Sequence, residues 1–434
     1  MTDTRIASIH GRRVWDSRGR PTVEVDVRLE GGGFGRAIAP AGASMGSREA
    51  VDLRDGGARF GGLDVSLALN SINGEICAAL AGLDASQQAQ IDAQLVRLDG
   101  TENRGRLGGN ATVATSMAVL HAAADARNEP IWRYLAGDGA VRLPLPEIQI
   151  FGGGAHAARR VDVQDFMVMC PAASSFAEAL AWTAEIYRAA GALMKKSGRL
   201  QGVADEGGHW PAFGSNEEAL DTMMKAIEDA GLRAGPQVGI SLDIAASEFG
   251  RGGRYKLALE DRTLDTEGMI EMLGKWLDTY PIISIEDPFA EDDGPGFRQF
   301  TAKYGSRCQI IGDDFLVTNA ARVNQAAADG SINAVLIKPN QAGTLTEAHA
   351  ALNAGRKAGF GAIVSARSGE TEDVTISHLS VGWDAGQLKV GSFSRSERMA
   401  KWNECLRIEE TLGSAATFAG WGALPFKREA AHAG

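Results

Sequence analysis

The sequence has few cysteines, few aromatic residues and no long apolar run. Its four cysteines (Cys77, Cys170, Cys308 and Cys405) form no C-x-x-C pair, which argues against a disulfide framework or a cysteine-rich zinc site. No stretch reaches the roughly 18 apolar residues of a membrane-spanning helix, and the first residues, MTDTRIASIHGRR, lack the apolar region of a secretory signal. We therefore expect a cytoplasmic protein that does not enter a membrane.

Positive charge is also in short supply. There are 44 Lys and Arg against 55 Asp and Glu, a net charge of −11. Such a chain is poorly suited to nucleic acid or to an anionic membrane surface, and its eight tryptophans are too scattered for a base-stacking platform. An acidic protein that binds a small anion needs local compensation, for which a divalent metal ion is the usual means.

The first part of the chain has a pattern of strands followed by helices. At 434 residues the chain is long enough for two domains. Residues 21–29, PTVEVDVRL, alternate apolar and polar side chains as in a half-buried strand. A glycine turn and a returning strand follow, and the pattern from Ser66 to Leu135 is helical. These features predict an N-terminal α+β domain over residues 1–137.

Residues 138–434 have a different, repeating pattern. Short apolar runs recur, each followed by polar residues or glycine and then by a helical pattern. The runs begin at Leu145, Asp165, Val238, Ile282, Gln309, Ala334, Ala362 and Gln387. Eight strand–helix units predict an α/β fold, a (β/α)8 TIM-type barrel. A doubly wound open sheet is the alternative, although such sheets usually have fewer strands.

Ionisable residues stand at the ends of these predicted strands. They are Asp243, Glu286, Asp313, Lys338 and Lys389, with Asp165 and Glu206 in an early strand and the turn after it. A single acid in such a place is explained well enough as the N-cap of the next helix. Repetition over so many strands favours a catalytic site, because barrel enzymes place their catalytic groups at the carboxyl ends of the strands.

The chemistry of this set is coherent. Carboxylates from Asp243, Glu286 and Asp313, on adjacent predicted strands, suit Mg²⁺, a hard cation that prefers oxygen ligands. Lys338 and Lys389 are expected beside the metal, where positive charge lowers a lysine pKa and makes the amine usable as a base. The same charge stabilises the ene-diolate formed when a proton next to a carboxylate is removed.

Longer motifs resemble the enolase (phosphopyruvate hydratase) family, from about Arg5 to Gly420. The motifs are DSRGRPTVEV (16–25), GASMG (42–46), DEGG (205–208), SIEDPFAEDD (284–293), DDFLVTN (313–319), RSGETED (367–373) and RSERMAKWNECLRIEE (395–410). The resemblance implies a barrel of the enolase kind behind an N-terminal domain. It also implies a Mg²⁺-dependent lyase that forms an enolpyruvate from a small phosphorylated carboxylate.

The resemblance assigns roles to individual residues. It implies that Lys338 is the base, that Lys389 binds the substrate carboxylate, and that Asp243, Glu286 and Asp313 hold the first Mg²⁺. The remaining matches concern the leaving group, the phosphate, the closing segments and the second ion. They are Glu206 and Asp165 for departure of hydroxide, Arg367 and Ser368 for the phosphate, His156 and Gln164 for closure over the substrate, and Ser44 for a second Mg²⁺ that arrives with the substrate.

The family is commonly oligomeric, and the same resemblance bears on assembly. Glu24 and Arg407 match an ion pair between subunits, so a homodimer or an octamer is expected.

Some positions depart from the family pattern. Ala366 stands where the family has a histidine, Asp165 where it has a glutamate, and Pro339 follows the base directly. Ala366 and Asp165 belong to the part of the site around the leaving hydroxyl and the phosphate. His209, which follows DEGG, is a candidate to replace the missing imidazole.

These departures leave three interpretations open. The first is an enolase acting on 2-phosphoglycerate with modified machinery. The second is an enolase-like paralogue of specialised metabolism acting on a phosphono- or carboxyphosphono-enolpyruvate precursor. The third is a non-catalytic binding protein on an enolase scaffold. Such a protein would have no reason to keep all the metal ligands and both lysines.

Overall fold

The computed structural model describes residues 3–43 and 45–427. The chain begins with an antiparallel sheet of β1 (Ile6–Trp15), β2 (Pro21–Leu29) and β3 (Phe34–Ile38). One face of β2 carries Val23, Val25 and Val27, which are fully buried. The other face carries charged side chains, among them Glu24, which bonds to Arg12 of the same chain. The predicted two-residue alternation is thus present in β2.

Helices follow this sheet along the chain, and some of them pack on its strands. They are α1 (Ser66–Ser71), continued by a π-helical turn at Ile72–Ile76 into α2 (Cys77–Leu80), then α3 (Gln88–Asp99), α4 (Gly109–Ala126) and α5 (Ile131–Ala136). Alanine-rich α4 packs directly on β2 and β3. The approach is so close that a Cβ added at Gly35 would lie 2.0 Å from the carbonyl oxygen of Ala118. The N-terminal part is therefore the predicted α+β unit.

Eight strands close a barrel within the described part of the chain. They are β4 (Leu145–Gly152), β5 (Asp165–Met169), β6 (Gly239–Asp243), β10 (Ile282–Glu286), β11 (Gln309–Gly312), β12 (Ala334–Ile337), β13 (Gly361–Ser365) and β14 (Gly386–Ser392). Each corresponds to one of the predicted apolar runs. A short antiparallel sheet intervenes after β6: β7 (Gly250–Arg251), β8 (Arg254–Leu257) and β9 (Arg262–Asp265). The predicted barrel is confirmed, and the open-sheet alternative is wrong.

The order of strands and helices differs from the prediction in one place. Strand β5 runs antiparallel to both β4 and β6, so β4 and β5 form a hairpin without a long helix between them. Helices α6 (Phe176–Lys196) and α7 (Asn216–Asp229) then follow β5 in succession. The expectation of eight regular strand–helix units is therefore wrong. Because β5 is reversed, its first residue, Asp165, faces the barrel end where the other strands finish.

The remaining strands are joined by helices on the outside of the barrel. These are α8 (Thr266–Thr279), α9 (Gly294–Tyr304), α10 (Ala320–Asp329), α11 (Pro339–Ala342), α12 (Leu345–Lys357), α13 (Thr375–Gly382) and α14 (Ser396–Leu412). Several starts follow local capping chemistry. Ser215 Oγ accepts the backbone N–H of Glu218 at 3.1 Å, and Thr344 caps α12 in the same way. We keep 137/138 as the proposed domain boundary, which falls between α5 and β4.

The barrel interior contains both apolar and polar side chains. Ile311, Leu336 and Ile363 form part of a small apolar cluster there. Gln309 and Gln387, on strands that are not neighbours, join their amides across the interior with two bonds of 2.8 and 2.9 Å. TIM-type barrels more often fill this space with branched apolar side chains.

Among the described helices, none combines the length and apolarity needed to span a bilayer. Arg407 lies on α14, where it bonds Glu404 at 2.8 Å, while Glu24 is engaged by Arg12. A pairing of Glu24 with Arg407 between subunits stays a prediction.

Candidate active site

Acidic side chains from neighbouring strands meet at one end of the barrel. Asp243 and Glu286 are the last residues of β6 and β10, and Asp313 directly follows β11. These strands are consecutive around the barrel, and all three residues are buried. A strand end fixes the direction of the side chain, so the predicted ligands all face the same mouth.

Two lysines hold these carboxylates. Lys389 Nζ, from β14, lies 2.7 Å from Glu286 Oε2 and 2.9 Å from Asp243 Oδ2. Lys338, which follows β12, places its Nζ 2.5 Å from Asp313 Oδ2. Pro339 occupies the first turn of α11 directly after Lys338, where its missing N–H has no helical partner to lose. The lysines thus stand on different sides of the acidic group, one against Asp313 and the other against Asp243 and Glu286.

The acidic neighbours of the two lysines raise their pKa values. Burial lowers the pKa of Lys338, but the neighbouring carboxylates, Asp313 first and then Glu286, together offset this and the net shift is upward. For Lys389 burial likewise lowers the pKa, and Asp243 with Glu286 raise it well above its ordinary value. The predicted lowering depends on the charge of a bound ion, so it stays a prediction. Converting either lysine to a neutral base requires added positive charge at the carboxylates.

The carboxylates at the barrel mouth are suited to a bound cation. Burial, and next the charge of Asp243, raise the pKa of Glu286 well above its ordinary value. Glu286 Oε1 is buried and has no hydrogen-bond partner among the described residues. Buried carboxylate oxygens without donors are costly for a protein alone, and they are the ligands that Mg²⁺ prefers. Asp243, Glu286 and Asp313 are therefore the residues that would hold the ion.

Within the described ranges, two groups of possible ligands have their donor atoms within 4.8 Å of one another, namely His156 with Asp165 and Glu206, and Asp287 with Asp313 and Asp314. The predicted trio is not one of them, because Lys389 and Lys338 draw its members toward different sides. Asp313 belongs to both the trio and the second group.

Asp287 is a residue that sequence reasoning missed. Its carboxylate accepts the backbone N–H groups of Asp313 at 2.9 Å and of Asp314 at 2.8 Å. Its φ of +39° lies in the left-handed region, an uncommon conformation that marks functional sites. Asp287 therefore fixes the turn that presents Asp313. The doubled acids in SIEDPF and GDDF were the available signal.

A second cluster contains the predicted leaving-group residues. His156 Nδ1 lies 3.0 Å from Asp165 Oδ1, and its Nε2 lies 3.5 Å from Glu206 Oε1. Burial lowers the pKa of His156, but Glu206 and Asp165 raise it to about 9. A protonated imidazole between two acids results. Gln149 donates to Asp165 and accepts the N–H of Gly208 at 2.8 Å, which connects this acid to the turn that carries Glu206.

Gln164 lies beside the metal-ligand candidates. Its side-chain nitrogen donates to Asp243 Oδ2 at 3.2 Å, while its Oε1 is buried without a partner among the described residues. Oδ2 of the next residue, Asp165, is likewise buried without a hydrogen bond to the described residues. It lies 3.5 Å from Lys389 Nζ, an ion-pair distance. The β4–β5 hairpin thus brings both residues to the mouth, as the predicted roles require.

The predicted phosphate-binding residues follow β13. Arg367 Nη1 bonds Glu49 Oε2 at 2.8 Å, and Ser368 Oγ lies 3.2 Å from His156 Nε2. Fully buried Arg398 donates to the carbonyl oxygen of Arg367 at 2.6 Å, which fixes the backbone of this segment. Sequence reasoning missed Glu49 because its partner, Arg367, lies 318 positions away in the chain.

The predicted loop residue Ser44 lies outside the described residues. Its neighbour Met45 is 60% exposed. Ala41 and Gly369 exchange backbone hydrogen bonds of 2.9 and 2.8 Å, which join the loop to the barrel. The loop thus starts at the mouth of the site.

The structure separates His209 from the position of the missing imidazole. The ring of His209 stacks on Tyr187 at 4.2 Å between centroids, and its Nε2 lies 3.0 Å from the carbonyl oxygen of Tyr187. A Cβ on Gly191 of α6 would lie only 2.9 Å from this ring. Ala366 instead lines the mouth, where His209 does not. The hypothesis that His209 replaces the imidazole is wrong, because the space against α6 holds the ring elsewhere.

These groups line one cleft with about 310 Å³ of empty space. Its walls carry all eight residues predicted to be catalytic or to bind the substrate, together with Asp243, one of the predicted metal ligands. They are His156, Gln164, Asp165, Glu206, Asp243, Lys338, Arg367, Ser368 and Lys389, with Ser365, Ala366, Val390 and Gly391. The walls thus combine cationic side chains, Lys338, Arg367 and Lys389, with the carboxylates of Asp165, Glu206 and Asp243.

Comparison with known protein families agrees with this arrangement. Residues 6–135 match the family described as the enolase N-terminal domain. Residues 140–425 match the enolase C-terminal TIM barrel domain. Together the two matches cover nearly the whole chain and carry both the α+β unit and the barrel with the acidic mouth. The chain belongs to the enolase family.

Proposed function

We propose that the protein is a Mg²⁺-dependent carbon–oxygen lyase that removes the proton next to a substrate carboxylate and then expels hydroxide to form an enolpyruvate. The conversion of 2-phosphoglycerate to phosphoenolpyruvate, or of a close analogue, is the leading reaction. Membership of the enolase family supports the class of chemistry.

The observation that carries this proposal is the placement of Lys338 against the acidic mouth. Its Nζ contacts Asp313 at 2.5 Å, while Lys389 contacts Asp243 and Glu286 from the other side. Mg²⁺ on the carboxylates would supply the charge that stabilises an ene-diolate. Lys338, relieved of its carboxylate partner, is then the base, and Lys389 binds the substrate carboxylate.

The other end of the cleft supports a phosphorus oxyanion. Arg367 and Ser368 offer a guanidinium and a hydroxyl, and His156 lies 3.2 Å from the serine. Glu206 and Asp165, next to the imidazole, are proposed to assist departure of hydroxide. The substrate is accordingly a small phosphorylated or phosphono carboxylate.

We further propose one tightly bound Mg²⁺ at Asp243, Glu286 and Asp313, and a second ion that arrives with the substrate and uses Ser44. A cytoplasmic homodimer or octamer that engages neither nucleic acid nor membranes completes the proposal. The net charge of −11 supports the absence of polyanionic partners.

The test is turnover of 2-phosphoglycerate with Mg²⁺, followed by the absorbance of the enolpyruvate. Lys338→Ala should lower turnover by at least about a thousandfold, since the base is lost. Lys256→Ala, at a lysine that is 69% exposed on β8, is the matched control and should retain full rate. Full activity of Lys338→Ala would refute proton abstraction by this residue. Failure to bind Mg²⁺ in calorimetry would favour a non-catalytic scaffold.

A second candidate function is favoured by Ala366. This methyl group lines the cleft where the family pattern has an imidazole, and His209 is held away against α6. The candidate is an enolase-like paralogue that acts on a phosphono- or carboxyphosphono-enolpyruvate precursor. Background turnover of 2-phosphoglycerate by a preparation that binds Mg²⁺, together with turnover of the phosphono substrate, would establish it over the first.

A further inference from the structure

One buried carboxyl group inside the barrel has no part in the proposed mechanism. Glu147 is the third residue of β4 and is fully buried. It bonds to Ser241 of β6, although β5 lies between these strands. A bond between strands that are not neighbours must cross the barrel interior. The Glu147 side chain therefore points inward, beneath the acidic mouth.

The bonding of this carboxyl group is incomplete. Its Oε1 accepts from the hydroxyl of Ser241, whereas its Oε2 is buried with no hydrogen-bond partner in the described ranges. A buried carboxyl oxygen without a partner is costly in either protonation state. The position therefore calls for a cationic or donor group that approaches from within the barrel.

Lys389 is the nearest candidate by its place in the fold. It pairs with Glu147 in the register of β14 and β4, and paired residues of parallel neighbours project to the same side of the sheet. The Lys389 ammonium is held by Asp243 and Glu286 at the mouth. Burial raises the pKa of Glu147 above its ordinary value and the charge of Lys389 opposes this shift, while Glu147 is among the acids that raise the pKa of Lys389.

A divalent ion on Asp243 and Glu286 would compete directly with this ammonium. The ion would share the oxygens that Lys389 contacts and would repel its positive charge. Lys389 then needs a carboxylate that the ion does not use. Asp165 Oδ2, 3.5 Å from Lys389 Nζ, is one such oxygen, but Asp165 is proposed to assist the leaving hydroxide. The Oε2 of Glu147, at the position of β4 paired with Lys389, is another.

We propose that Glu147 is a positioning residue that supplies the counter-charge for Lys389 when a divalent cation occupies Asp243 and Glu286. The inference rests on the proposed function, since it assumes the metal site named there. Glu147 would act through Lys389 and would not touch the ion or the substrate.

The experiment is equilibrium binding of Mn²⁺ to the full chain, read from the electron paramagnetic resonance of free and bound ion. Glu147→Gln keeps the shape of the side chain and removes its charge, and it should weaken Mn²⁺ binding by about tenfold, the equivalent of one pKa unit of charge coupling. Ser241→Ala is the matched control, because it removes the hydrogen bond to Glu147 but leaves its charge. It should change the affinity by less than about twofold.

A double-mutant cycle with Lys389→Met tests the route of the effect. If Glu147 acts through Lys389, Glu147→Gln should have little further effect on Mn²⁺ binding once the ammonium is gone. A second variant, Glu147→Met, replaces the carboxyl by an apolar group of similar size and should give the same loss as Gln, which guards against a folding defect of one variant.

The outcomes are distinguishable. Equal Mn²⁺ affinities for the native chain and Glu147→Gln, or equal losses in Ser241→Ala and Glu147→Gln, would overturn this inference and leave the proposed function intact. An undiminished effect of Glu147→Gln in the Lys389→Met background would also overturn it. A native chain that binds no Mn²⁺ or Mg²⁺ would overturn the proposed function itself.

Discussion

The carboxylate of Glu49 lies 2.8 Å from Nη1 of Arg367 and connects the loop after the N-terminal sheet to the end of barrel strand β13. Both side chains are almost fully buried, with 6% and 3% of their surface exposed. Gln341 extends the contact, since its amide donates to Glu49 at 3.2 Å and to Asp313 at 2.8 Å. The proposed phosphate end and the proposed metal end of the cleft therefore share one residue of the N-terminal domain.

Glu49→Gln should lower the free energy of unfolding by about 3 kcal/mol, because it leaves the buried Arg367 without this carboxylate. Inorganic phosphate should recover part of the loss, as an anion that takes the place of the carboxylate. Thermal unfolding with and without phosphate measures both effects. Glu347→Gln, which breaks a second pair between the domains at Arg104, is the control and should show no recovery. Equal recovery in both variants would contradict a phosphate site at Arg367.

Ala366→His should raise turnover of 2-phosphoglycerate by roughly tenfold or more, since it places an imidazole among the leaving-group residues. The measurement is kcat/KM with this substrate, beside Ala366→Val, which adds bulk without a proton donor. If the native chain already turns over 2-phosphoglycerate rapidly and the histidine only slows it, the importance given to this position is mistaken.

His156 should make stability depend on pH. Its pKa is raised from 6.5 to about 9, so the proton stabilises the folded state fully below pH 6.5 and this contribution is lost as pH rises through about 9. His156→Asn should therefore cost about 3 kcal/mol more in acid than in alkali. Denaturant unfolding at both ends of this range tests it. A cost of His156→Asn that stays constant over this range would argue against protonation of His156.

Gly35→Ala should destabilise the N-terminal domain by about 3 kcal/mol, because the new methyl group would lie 2.0 Å from the Ala118 carbonyl oxygen. Gly74→Ala is a control of the same chemistry, since its added Cβ meets nothing within 4 Å. It should stabilise the protein by about 0.5 kcal/mol. Chemical denaturation compares the two, and equal effects would mean that the contact between β3 and α4 relaxes freely.

The sequence predicted the barrel strands well because each is a short apolar run that ends in a chemically distinctive residue. Asp243 and Glu286 could be placed at strand ends from such runs alone. The reversal of β5 could not be predicted, since an apolar run has no direction and the hairpin connection carries little periodic signal. The eight-unit expectation failed for this reason.

Contacts between residues far apart in the chain also could not be predicted from the sequence. Glu49 and Arg367 are far apart in the chain, and nothing local to either residue reveals the pairing. His209 follows the DEGG turn closely enough to suggest a role in the cleft, yet the glycine at position 191 opens a space on α6 that takes its ring. The predicted lowering of a lysine pKa depends on the charge of a bound ion, so the acidic neighbours of Lys338 and Lys389 do not test it.

Because strand β5 is reversed, one short segment of the chain supplies several residues of the cleft. His156, Gln164 and Asp165 belong to one continuous stretch that runs from the β4–β5 connection to the first residue of β5, whereas Asp243, Glu286, Asp313 and Lys338 each end or directly follow a separate strand. Exchange of that single stretch would replace several of the residues proposed to act on the leaving group and leave those proposed for proton removal untouched. In a barrel with one hairpin among its strands, replacement of a single short segment is thus a route to a different substrate, in protein engineering and in evolution.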